Sequence, residues 1–462
     1  MPVECKSKIL FFFFILFFTY CVWAQGKNEH YDQLAQSIVR TALVQQKGYA
    51  LLKELCMVGP RLNGYNTSVQ AIHWAKEQME QLELDKVWLQ PVMVPHWSRG
   101  DKEEAIIIES IKFKGKKLNI AALGGSIGTT ENGITGSILE INSFEDLSTL
   151  GSRVKGKIIF YNRPLDQGKT STFSAYAGAV NQRTKGAAEA AKYGAIATIV
   201  RSVTTKYDNI PHVGVMHYEE TVLKIPAAAI GLEDADFLSN ALKHEPELKV
   251  NINLSCKILQ DTQSYNVIGE IRGTIFPEEV IIVAGHFDAW DKGHGAHDDG
   301  AGCIQALEVL DIFKRLEIKP KRTIRCVFFS DEEQQQRGAK VYGSYADTCA
   351  EKHIAAIESD RGAFTPRGFS IDADSAIIAD IESWLPYLKK AKIDWIRKGG
   401  SGSDVSRIKK CTALIGYIPD DQRYFDFHHS DNDVFEAVHP REMELGSAAI
   451  TILTYLLDEK GL

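Results

Sequence analysis

The sequence has no excess of positive charge. Its 462 residues include 53 lysines and arginines against 60 aspartates and glutamates, which gives a formal net charge of -7 at pH 7. Binding to the phosphates of nucleic acid or to an anionic membrane surface depends on clustered cations. The charge balance therefore gives no reason to expect either of them as a partner.

Long apolar runs are absent after the first twenty residues. The one long run is ILFFFFILFF at residues 9–18, which follows two lysines and precedes small residues up to Ala24. A charged start, a short apolar segment and small residues at a cleavage point are the pattern of a secretory signal peptide. The run is shorter than the ~20 residues that a membrane span needs. We expect residues 1–24 to be a cleaved signal peptide, which leaves no membrane span in the mature chain.

The predicted signal peptide directs the protein to the secretory pathway. The expected location is secreted or extracellular, and the lysosome, the endoplasmic reticulum and the Golgi remain open as destinations. Asn66 in NTS and Asn253 in NLS stand in acceptor triplets for N-linked glycans. In a secreted chain, both are predicted glycosylation sites.

Cysteine is scarce, with eight in the whole sequence. Two of them, Cys5 and Cys21, lie within the predicted signal peptide. The other six permit disulfides in an oxidising compartment, although their spacing assigns no pairing. Cys303 and Cys326 stand in apolar segments and are equally well explained as buried thiols.

No repeat period is found, and the length suffices for two or three domains or for one large domain with an insertion. Residues 25–118 carry two helical patterns and then the strand-like KVWLQPVMVPHW. Residues 119–260 contain short β-like runs such as SILEI and AIATIVR, which predict a compact inserted α+β module. Residues 261–462 alternate strands and helices. Their apolar strands lack polar alternation, which predicts an α/β fold with a mostly parallel sheet flanked by helices.

Acidic and imidazole side chains follow three of these apolar strands, and a histidine pair stands in a polar loop before the last helix. These residues are His286 and Asp288 after VIIVAG, Glu332 and Glu333 after IRCVFFS, Asp360 after IAAIES, and His428 and His429 in FHHSDND. Ligands of open parallel sheets bind beyond the carboxyl ends of the strands. We therefore expect these side chains to converge at one edge of the sheet.

The electrostatics of such a cluster favour bound cations. Carboxylates gathered in a partly dry cleft repel one another strongly, unless protons or metal ions neutralise them. Histidine mixed with aspartate and glutamate favours zinc or a similar transition metal over calcium, which prefers sites made of oxygen alone. Glycines and alanines in GHFDAWDKGHGAHDDGAG, residues 285–302, let the backbone turn sharply and approach the cations.

Five motifs together carry a family resemblance. In chain order they are GHFDAWDKGHGAHDDGAG, FFSDEEQ, IESDRGAF, GGSGSD and FHHSDND, and they resemble the co-catalytic di-zinc aminopeptidase and carboxypeptidase family. The resemblance spans nearly the whole mature chain, and the insertion resembles a protease-associated module. It implies a zinc exopeptidase fold, two zinc ions per subunit and a homodimer. It also implies hydrolysis of small unblocked peptides, dipeptides especially, by metal-activated water with a glutamate as general base.

The resemblance assigns roles residue by residue. It implies that His286 and Asp360 hold one zinc, Glu333 and His429 hold the other, Asp298 bridges the two, and Glu332 is the general base and acid. His428 is an alternative to His429, which is favoured because it directly precedes a serine. The same family likeness implies a cis peptide bond between Asp298 and Asp299.

Further residues are assigned supporting roles. Asp288 is expected to accept the second ring N–H of His286 and to fix its tautomer. Asp299 and Asp433 are expected to be supporting carboxylates, while Asp404 and His428 are candidates for the substrate pocket.

Three different functions remain open from the sequence. They are an aminopeptidase acting on longer peptides, a one-zinc glutaminyl cyclase and a catalytically inactive, receptor-like relative. Every expected ligand position is filled, which favours a two-metal hydrolase. The sequence departs from the family pattern at one place that affects the pocket. The segment after the Glu-Glu pair, residues 334–338, is QQQRG, where the family commonly has glycines.

Overall fold

The structure is a computed structural model that describes residues 29–462. The predicted signal peptide, with Cys5 and Cys21, lies outside the described residues. Within them the chain forms two eight-stranded sheets. No helix of the described part is long and apolar enough to cross a membrane.

Helices and strands alternate along most of the chain. The helices are residues 29–45 (α1), Lys47–Val58 (α2), Asn66–Gln81 (α3), Phe144–Leu150 (α4), Thr172–Ala179 (α5), Asn181–Thr184 (α6), Gly186–Ala191 (α7), Leu232–His244 (α8), Ala301–Arg315 (α9), Arg337–Thr348 (α10), Ser375–Glu382 (α11), Leu385–Leu388 (α12) and Pro440–Lys460 (α13). The strands are Lys86–Ser98 (β1), Glu103–Glu109 (β2), Lys117–Leu118 (β3), Ile120–Ala122 (β4), Ile134–Ile141 (β5), Ile158–Tyr161 (β6), Ala197–Arg201 (β7), Ala227–Ile230 (β8), Lys249–Leu254 (β9), Lys257–Ile271 (β10), Phe276–His286 (β11), Arg322–Phe329 (β12), Lys352–Ser359 (β13), Pro366–Asp372 (β14), Trp395–Lys398 (β15) and Ala413–Pro419 (β16).

The first sheet is parallel at its centre, as the apolar strands predict. Its order is β1-β10-β12-β11-β13-β16-β14-β15, and β12, β11, β13 and β16 are mutually parallel. Strands β11, β12 and β13 are buried along most of their length because helices cover both faces. The larger core packs α1, α2, α3, α9 and α13 on one face, and α10 packs on the other. This confirms the predicted α/β fold class.

The second sheet forms the inserted module, in the order β3-β2-β9-β5-β6-β7-β8-β4. Strands β2 and β3 precede residue 119, where the sequence suggests that the module begins. They belong to this sheet because β2 pairs with β9, from Glu103 opposite Leu254 onward. Helix α8 covers the sheet, although no sequence pattern singled it out.

A two-stranded arm joins the two sheets. Strands β1 and β10 pair antiparallel from Lys86 opposite Glu270 to Ser98 opposite Lys257, so the chain enters and leaves the module side by side. At the end of the arm, buried Arg99 donates from Nε to Asp291 over 2.9 Å. This ion pair fastens the module to the loop that follows β11.

The six cysteines of the described residues form no disulfide, and Cys303 and Cys326 are buried thiols as the sequence suggests. Burial raises the pKa of both thiols well above the usual range. Asn66 is exposed at the start of α3, whereas Asn253 is half-buried in β9.

Candidate metal centre

The carboxyl edge of the first sheet positions the predicted site. β11 ends at His286, and β12 and β13 end just before the Glu332–Glu333 pair and Asp360. Because these strands are parallel neighbours, their ends lie at one edge. Two loops complete the site, one before α9 carrying Asp298 and one before α13 carrying His429.

The structure brings all five predicted metal ligands together. Each carboxylate oxygen of Asp298 faces one histidine: Oδ1 lies 3.2 Å from His286 Nε2, and Oδ2 lies 3.2 Å from His429 Nε2. Asp360 Oδ1 is 3.5 Å from His286 Nε2, and Glu333 Oε2 is 3.0 Å from His429 Nε2. The set therefore forms two histidine–carboxylate pairs that share Asp298.

The pKa values of these carboxylates are shifted in different directions. Burial raises the pKa of Glu333 to about 7 and of Asp360 to about 6. Burial also acts to raise the pKa of Asp298, but the hydrogen bonds from His286 and His429 outweigh it and hold that pKa well below the usual range. Without cations, the cluster therefore holds protons that bound metal ions would displace.

The residues present fit zinc. Glu333 Oε1 is buried and has no hydrogen-bond partner within the described part of the chain, and buried Asp298 Oδ2 has none besides its 3.2 Å contact with His429 Nε2. Possible ligand atoms of His286, Asp298 and Glu333 lie within 4.8 Å of one another, as do those of two overlapping sets at the same place. Imidazole nitrogens with carboxylate oxygens are a donor set that zinc prefers.

The two adjacent histidines differ in their distances to the cluster. His428 Nε2 is 3.9 Å from Asp298 Oδ2, farther than His429, and His428 has no ion pair with Glu333. Its ring instead stacks on His429, with centroids 3.5 Å apart, and contacts the ring of Tyr176. Burial lowers the pKa of His428 well below the usual range, so it is a neutral imidazole.

Asp288 contacts His286 differently from the expectation. The nearer partner of His286 Nδ1 is the Asp288 backbone carbonyl at 3.0 Å, whereas the carboxylate lies 4.0 Å away. That carboxylate accepts the backbone N–H groups of Glu332 at 3.0 Å and Glu333 at 3.3 Å. Asp288 thus orients His286 through its main chain and the glutamate pair through its side chain.

Asp299 and Asp433 hold the backbone around the cluster. Asp299 Oδ2 accepts the backbone N–H of His286 at 3.0 Å, and Asp433 Oδ2 accepts that of Asp298 at 3.1 Å. The Asp298–Asp299 peptide bond is cis, as the family resemblance implies.

Arg61 is a residue that the sequence analysis missed. Its buried guanidinium donates to three carbonyl oxygens of the loop after β11, those of Phe287 at 2.8 Å, His294 at 2.7 Å and Gly295 at 2.8 Å. It therefore fixes the loop that carries Asp298. In the sequence, Arg61 stands in the turn GPRLNGYN, and nothing there indicates a partner more than 200 residues away.

Glu332 is half-buried, and two side chains hold one of its oxygens. Oε1 accepts from Ser403 Oγ at 2.7 Å and from Gln336 Nε2 at 3.3 Å. Gln336 Oε1 in turn accepts from Arg407 Nε at 3.1 Å. Gln336 belongs to the QQQRG segment, so this departure from the family pattern contacts the predicted base directly.

Asp404, a predicted pocket residue, does not line the cavity beside Glu332. It is fully buried, and neither carboxylate oxygen has a hydrogen-bond partner in the described chain. Burial and the neighbouring Glu358 raise the pKa of Asp404 well above the usual range. The pocket prediction is corrected to its neighbour Ser403, which lines a cavity.

A cavity of about 440 Å³ opens over the cluster. The part of the chain that forms the first sheet contributes predicted ligands and Glu332, the predicted base, to its wall, and the inserted module contributes Tyr176, Arg183, Val215 and His217. A second cavity of about 450 Å³ shares Phe173 and Asp360 with the first. Pockets of this size accommodate small ligands such as short peptides.

The fold and the site define a class of protein, the metal-dependent exopeptidases with a mostly parallel α/β sheet. Similar solved structures include a peptidase M28 precursor from Shewanella amazonensis SB2B, with a TM-score of 0.89, 30% identity, and coverage of 94% of this chain and 98% of that chain. A zinc aminopeptidase from Bacillus subtilis has the same fold, with a TM-score of 0.64, 19% identity, and coverage of 90% and 95%.

The family model of peptidase family M28 matches residues 266–451. Carboxypeptidase Q from Homo sapiens is 35% identical over 429 residues, which cover 92% of this chain and 88% of the human protein. Carboxypeptidase Q from Xenopus laevis is 35% identical over 432 residues, 92% of this chain and 90% of that protein. The chain belongs to peptidase family M28, with carboxypeptidase Q among its relatives, and is a zinc metallo-exopeptidase.

Proposed function

We propose that the protein is a di-zinc peptidase of the carboxypeptidase Q type, which hydrolyses small unblocked peptides and dipeptides especially. The observation that carries the proposal is the position of Asp298, which turns one oxygen toward each of two buried histidines. A carboxylate shared in this way suits a bridge between two cations. The identity of about 35% to carboxypeptidase Q supports the substrate class.

The predicted ligand set is retained in the proposal. His286 and Asp360 would hold one zinc, Glu333 and His429 the other, and Asp298 both. His429 is preferred to His428 because its Nε2 is the nearer one to Asp298. When bound, the zinc ions supply Lewis acidity that polarises a carbonyl and lowers the pKa of water.

Glu332 is the proposed general base and acid. Its Oε1 is held by Ser403 and Gln336, which leaves Oε2 to accept a proton from water and to deliver it to the leaving amine. Asp288 sets the position of Glu332 through the backbone N–H.

The remaining predictions also belong to this proposal. The chain would be a homodimer with a cleaved signal peptide at residues 1–24. It would be glycosylated at Asn66 and Asn253, and secreted or retained in the lysosome, the endoplasmic reticulum or the Golgi. The inserted module would be of the protease-associated type.

An activity panel tests the proposed function. Purified protein loaded with zinc is given unblocked dipeptides, longer peptides, and the same dipeptides capped at either end, with release of amino acids as the readout. The proposal predicts that unblocked dipeptides are the best substrates. A preference for longer peptides would favour an aminopeptidase. Cyclisation of N-terminal glutamine would favour a glutaminyl cyclase, and no turnover of any peptide would favour a catalytically inactive, receptor-like protein.

A further inference from the structure

Two loops meet beside the candidate metal centre, one from the inserted module and one from the rest of the chain. The module loop is residues 202–213, which follow β7. The histidine loop is residues 424–433, which carry His429 and precede α13. At the outer end of their contact, Lys206 Nζ donates to Asn432 Oδ1 at 3.1 Å. The module therefore supports the loop that carries a predicted metal ligand.

Side chains of the module loop bind the backbone of the histidine loop. Thr204 Oγ1 donates to the carbonyl oxygen of Phe425 at 2.7 Å, and His212 Nδ1 lies 2.7 Å from the carbonyl oxygen of His428. All four residues are buried, so water does not compete for these hydrogen bonds. The backbone on the N-terminal side of His429 is thus held by the module.

The backbone of Val213 contacts His429 at two points. Its N–H donates to the carbonyl oxygen of His429 at 2.9 Å, and its own carbonyl oxygen lies 3.2 Å from His429 Nδ1. The other ring nitrogen, Nε2, faces Asp298 at 3.2 Å and Glu333 at 3.0 Å. Arg183 Nη1 lies 3.5 Å from Nδ1 but cannot accept a hydrogen bond, and it donates to the same Val213 carbonyl at 3.2 Å. The Val213 carbonyl is therefore the acceptor for an N–H at Nδ1.

This contact determines which ring nitrogen of His429 is free for a metal ion. A neutral imidazole carries one proton, and the nitrogen that binds metal is the one without it. Donation from Nδ1 to Val213 leaves the lone pair of Nε2 directed at the predicted site. Histidine ligands ordinarily donate their other N–H to a carboxylate or a backbone carbonyl, and loss of such a partner costs about 10- to 100-fold in metal affinity.

The module loop is fixed to the sheet of the module. Ser202 Oγ accepts the backbone N–H of His212 at 2.8 Å and donates to the carbonyl oxygen of Ile230, in β8, at 2.8 Å. The Ser202 backbone N–H also donates to Ile230, at 3.0 Å. The position of the Val213 carbonyl is therefore set by the second sheet, whereas the other side of the candidate site is set by the first.

Gly214 leaves just enough room for the ring of His429. Its φ is +130°, and a Cβ added there would lie 2.6 Å from His429 Nδ1 and 2.6 Å from Arg183 Cζ. Its carbonyl oxygen accepts the backbone N–H of Gly124 at 3.0 Å, which ties this close approach to the module. A methyl group at position 214 would therefore displace the ring of His429 or the module loop.

We propose that the inserted module is part of the metal centre, because the Val213 carbonyl orients His429 and so sets the zinc affinity of the position that His429 shares with Glu333. This role rests on the proposed function, since it takes His429 as a zinc ligand. The Val213 carbonyl and the side chains of the module loop act through the histidine loop and are positioning groups. Among the described residues, no hydrogen bond of the module loop reaches His286 or Asp360, so the other zinc position should depend much less on the module.

Gly214→Ala tests this dependence through zinc binding. The full-length chain is equilibrated at a series of buffered free zinc concentrations, and bound zinc per chain is measured. The variant should lose about 10- to 100-fold in affinity for one ion and keep the other within about threefold. The matched control is Gly156→Ala. Gly156 also has a positive φ, of +74°, but no atom lies within 4 Å of an added Cβ, so zinc binding should not change.

Thr204→Val is a milder variant that keeps the shape of the side chain. It removes the hydroxyl that donates to Phe425, and it should weaken binding of the same zinc ion about 2- to 10-fold, the effect of one hydrogen bond. The matched control is Thr198→Val in β7, because the Thr198 hydroxyl is buried and has no hydrogen-bond partner in the described chain. That control should bind zinc as the wild type does.

Hydrogen exchange tests the coupling without any substitution. If the module loop strengthens zinc binding, zinc must stabilise the module loop by the same free energy. Amide exchange of peptides that cover residues 202–213 should therefore be about 10- to 100-fold slower in the zinc-loaded chain than in the chelator-treated chain. Peptides from β5 of the same module should exchange equally in both. If Gly214→Ala fails to fold, this measurement and Thr204→Val decide.

The outcomes separate this role of the module from the proposed function. Wild-type affinity for both ions in Gly214→Ala and Thr204→Val, or exchange of the module loop that does not respond to zinc, would overturn the role and leave the peptidase proposal intact. An equal loss of both ions in Gly214→Ala would show a general disruption and would overturn it as well. A wild type that binds two ions but cleaves no dipeptide would reject the peptidase proposal alone.

Discussion

At the scale of single residues, a substitution of Glu332 tests the proposed proton transfer separately from metal binding. Its neighbour Glu333 lies against His429, whereas Glu332 contacts Ser403 and Gln336. Glu332→Gln keeps the shape and should leave zinc content unchanged, while kcat falls about 10²–10⁴-fold because the proton acceptor is lost. Elemental analysis and dipeptide kinetics on the same sample check this. Activity within tenfold of the wild type would remove Glu332 from the role of base.

Asp298 should behave differently, because both proposed zinc positions depend on it. Asp298→Ala should lose zinc and activity together, since each oxygen faces one histidine. Asp431→Ala, an exposed aspartate of the loop that carries His429, is the matched control and should keep both. An Asp298→Ala protein that binds two zinc ions and cleaves dipeptides would exclude the bridge.

The sequence predicted most of the residues that the structure brings together at the candidate site, and the limits of that prediction lie in particular residues. His286, Glu333 and Asp360 were predictable because each follows an apolar strand of a parallel sheet. Arg61 and Arg183 were not, because an arginine in a turn or a short polar helix shows its partners only after folding. Asp404 was predicted to lie in the pocket because it belongs to the GGSGSD motif, but it is buried.

At the scale of elements, a buried carboxyl pair joins α9 to α13. Glu308 and Glu444 are both fully buried, and Glu444 Oε1 accepts the backbone N–H of Tyr49 in α2 at 2.9 Å. Lys47 pairs with Asp311, and Arg315 Nη2 lies 3.7 Å from Glu308. Burial and the charge of Glu308 raise the pKa of Glu444 to about 9, so the folded pair holds a proton at neutral pH.

This pair predicts a pH-dependent stability. The pKa of Glu444 is about 9 in the folded state, above its ordinary value of 4.5. At pH values between these two, folding is therefore accompanied by the binding of a proton. The free energy of unfolding should therefore fall as pH rises from about 5 to about 9. Glu444→Gln keeps the hydrogen-bonding shape without the charge, and should reduce that fall by more than ~1 kcal/mol.

Urea unfolding at pH 5.5 and pH 8.5 checks the prediction. The matched control, Glu436→Gln, replaces an exposed glutamate shortly before α13 and should keep the wild-type pH dependence. Identical pH dependence in the wild type and Glu444→Gln would show that the pair carries no proton.

Some strands were predictable from the sequence and others were not, and the difference has a physical reason. Strands β11 and β13 were evident because burial on both faces makes them continuously apolar. The membership of β2 in the second sheet was not evident, since it depends on pairing with β9, about 145 residues later in the chain. Such long-range pairing leaves no local pattern in the sequence.

At the scale of the whole molecule, two sheets share one cavity. The part that forms the first sheet supplies the predicted metal ligands, and the module, held by the β1–β10 arm and by Arg99, supplies the opposite wall. The site that we propose for short peptides therefore has walls from both parts of the chain. The proposed homodimer is also a prediction at this scale. Sedimentation of the active protein should give twice the mass of the chain. An active monomer would contradict the prediction.

The central claim is that one edge of the first sheet holds two zinc ions through His286, Asp298, Glu333, Asp360 and His429. Elemental analysis of purified, zinc-loaded protein tests it most directly. The account predicts two zinc ions per chain. One ion per chain, or none, would contradict it.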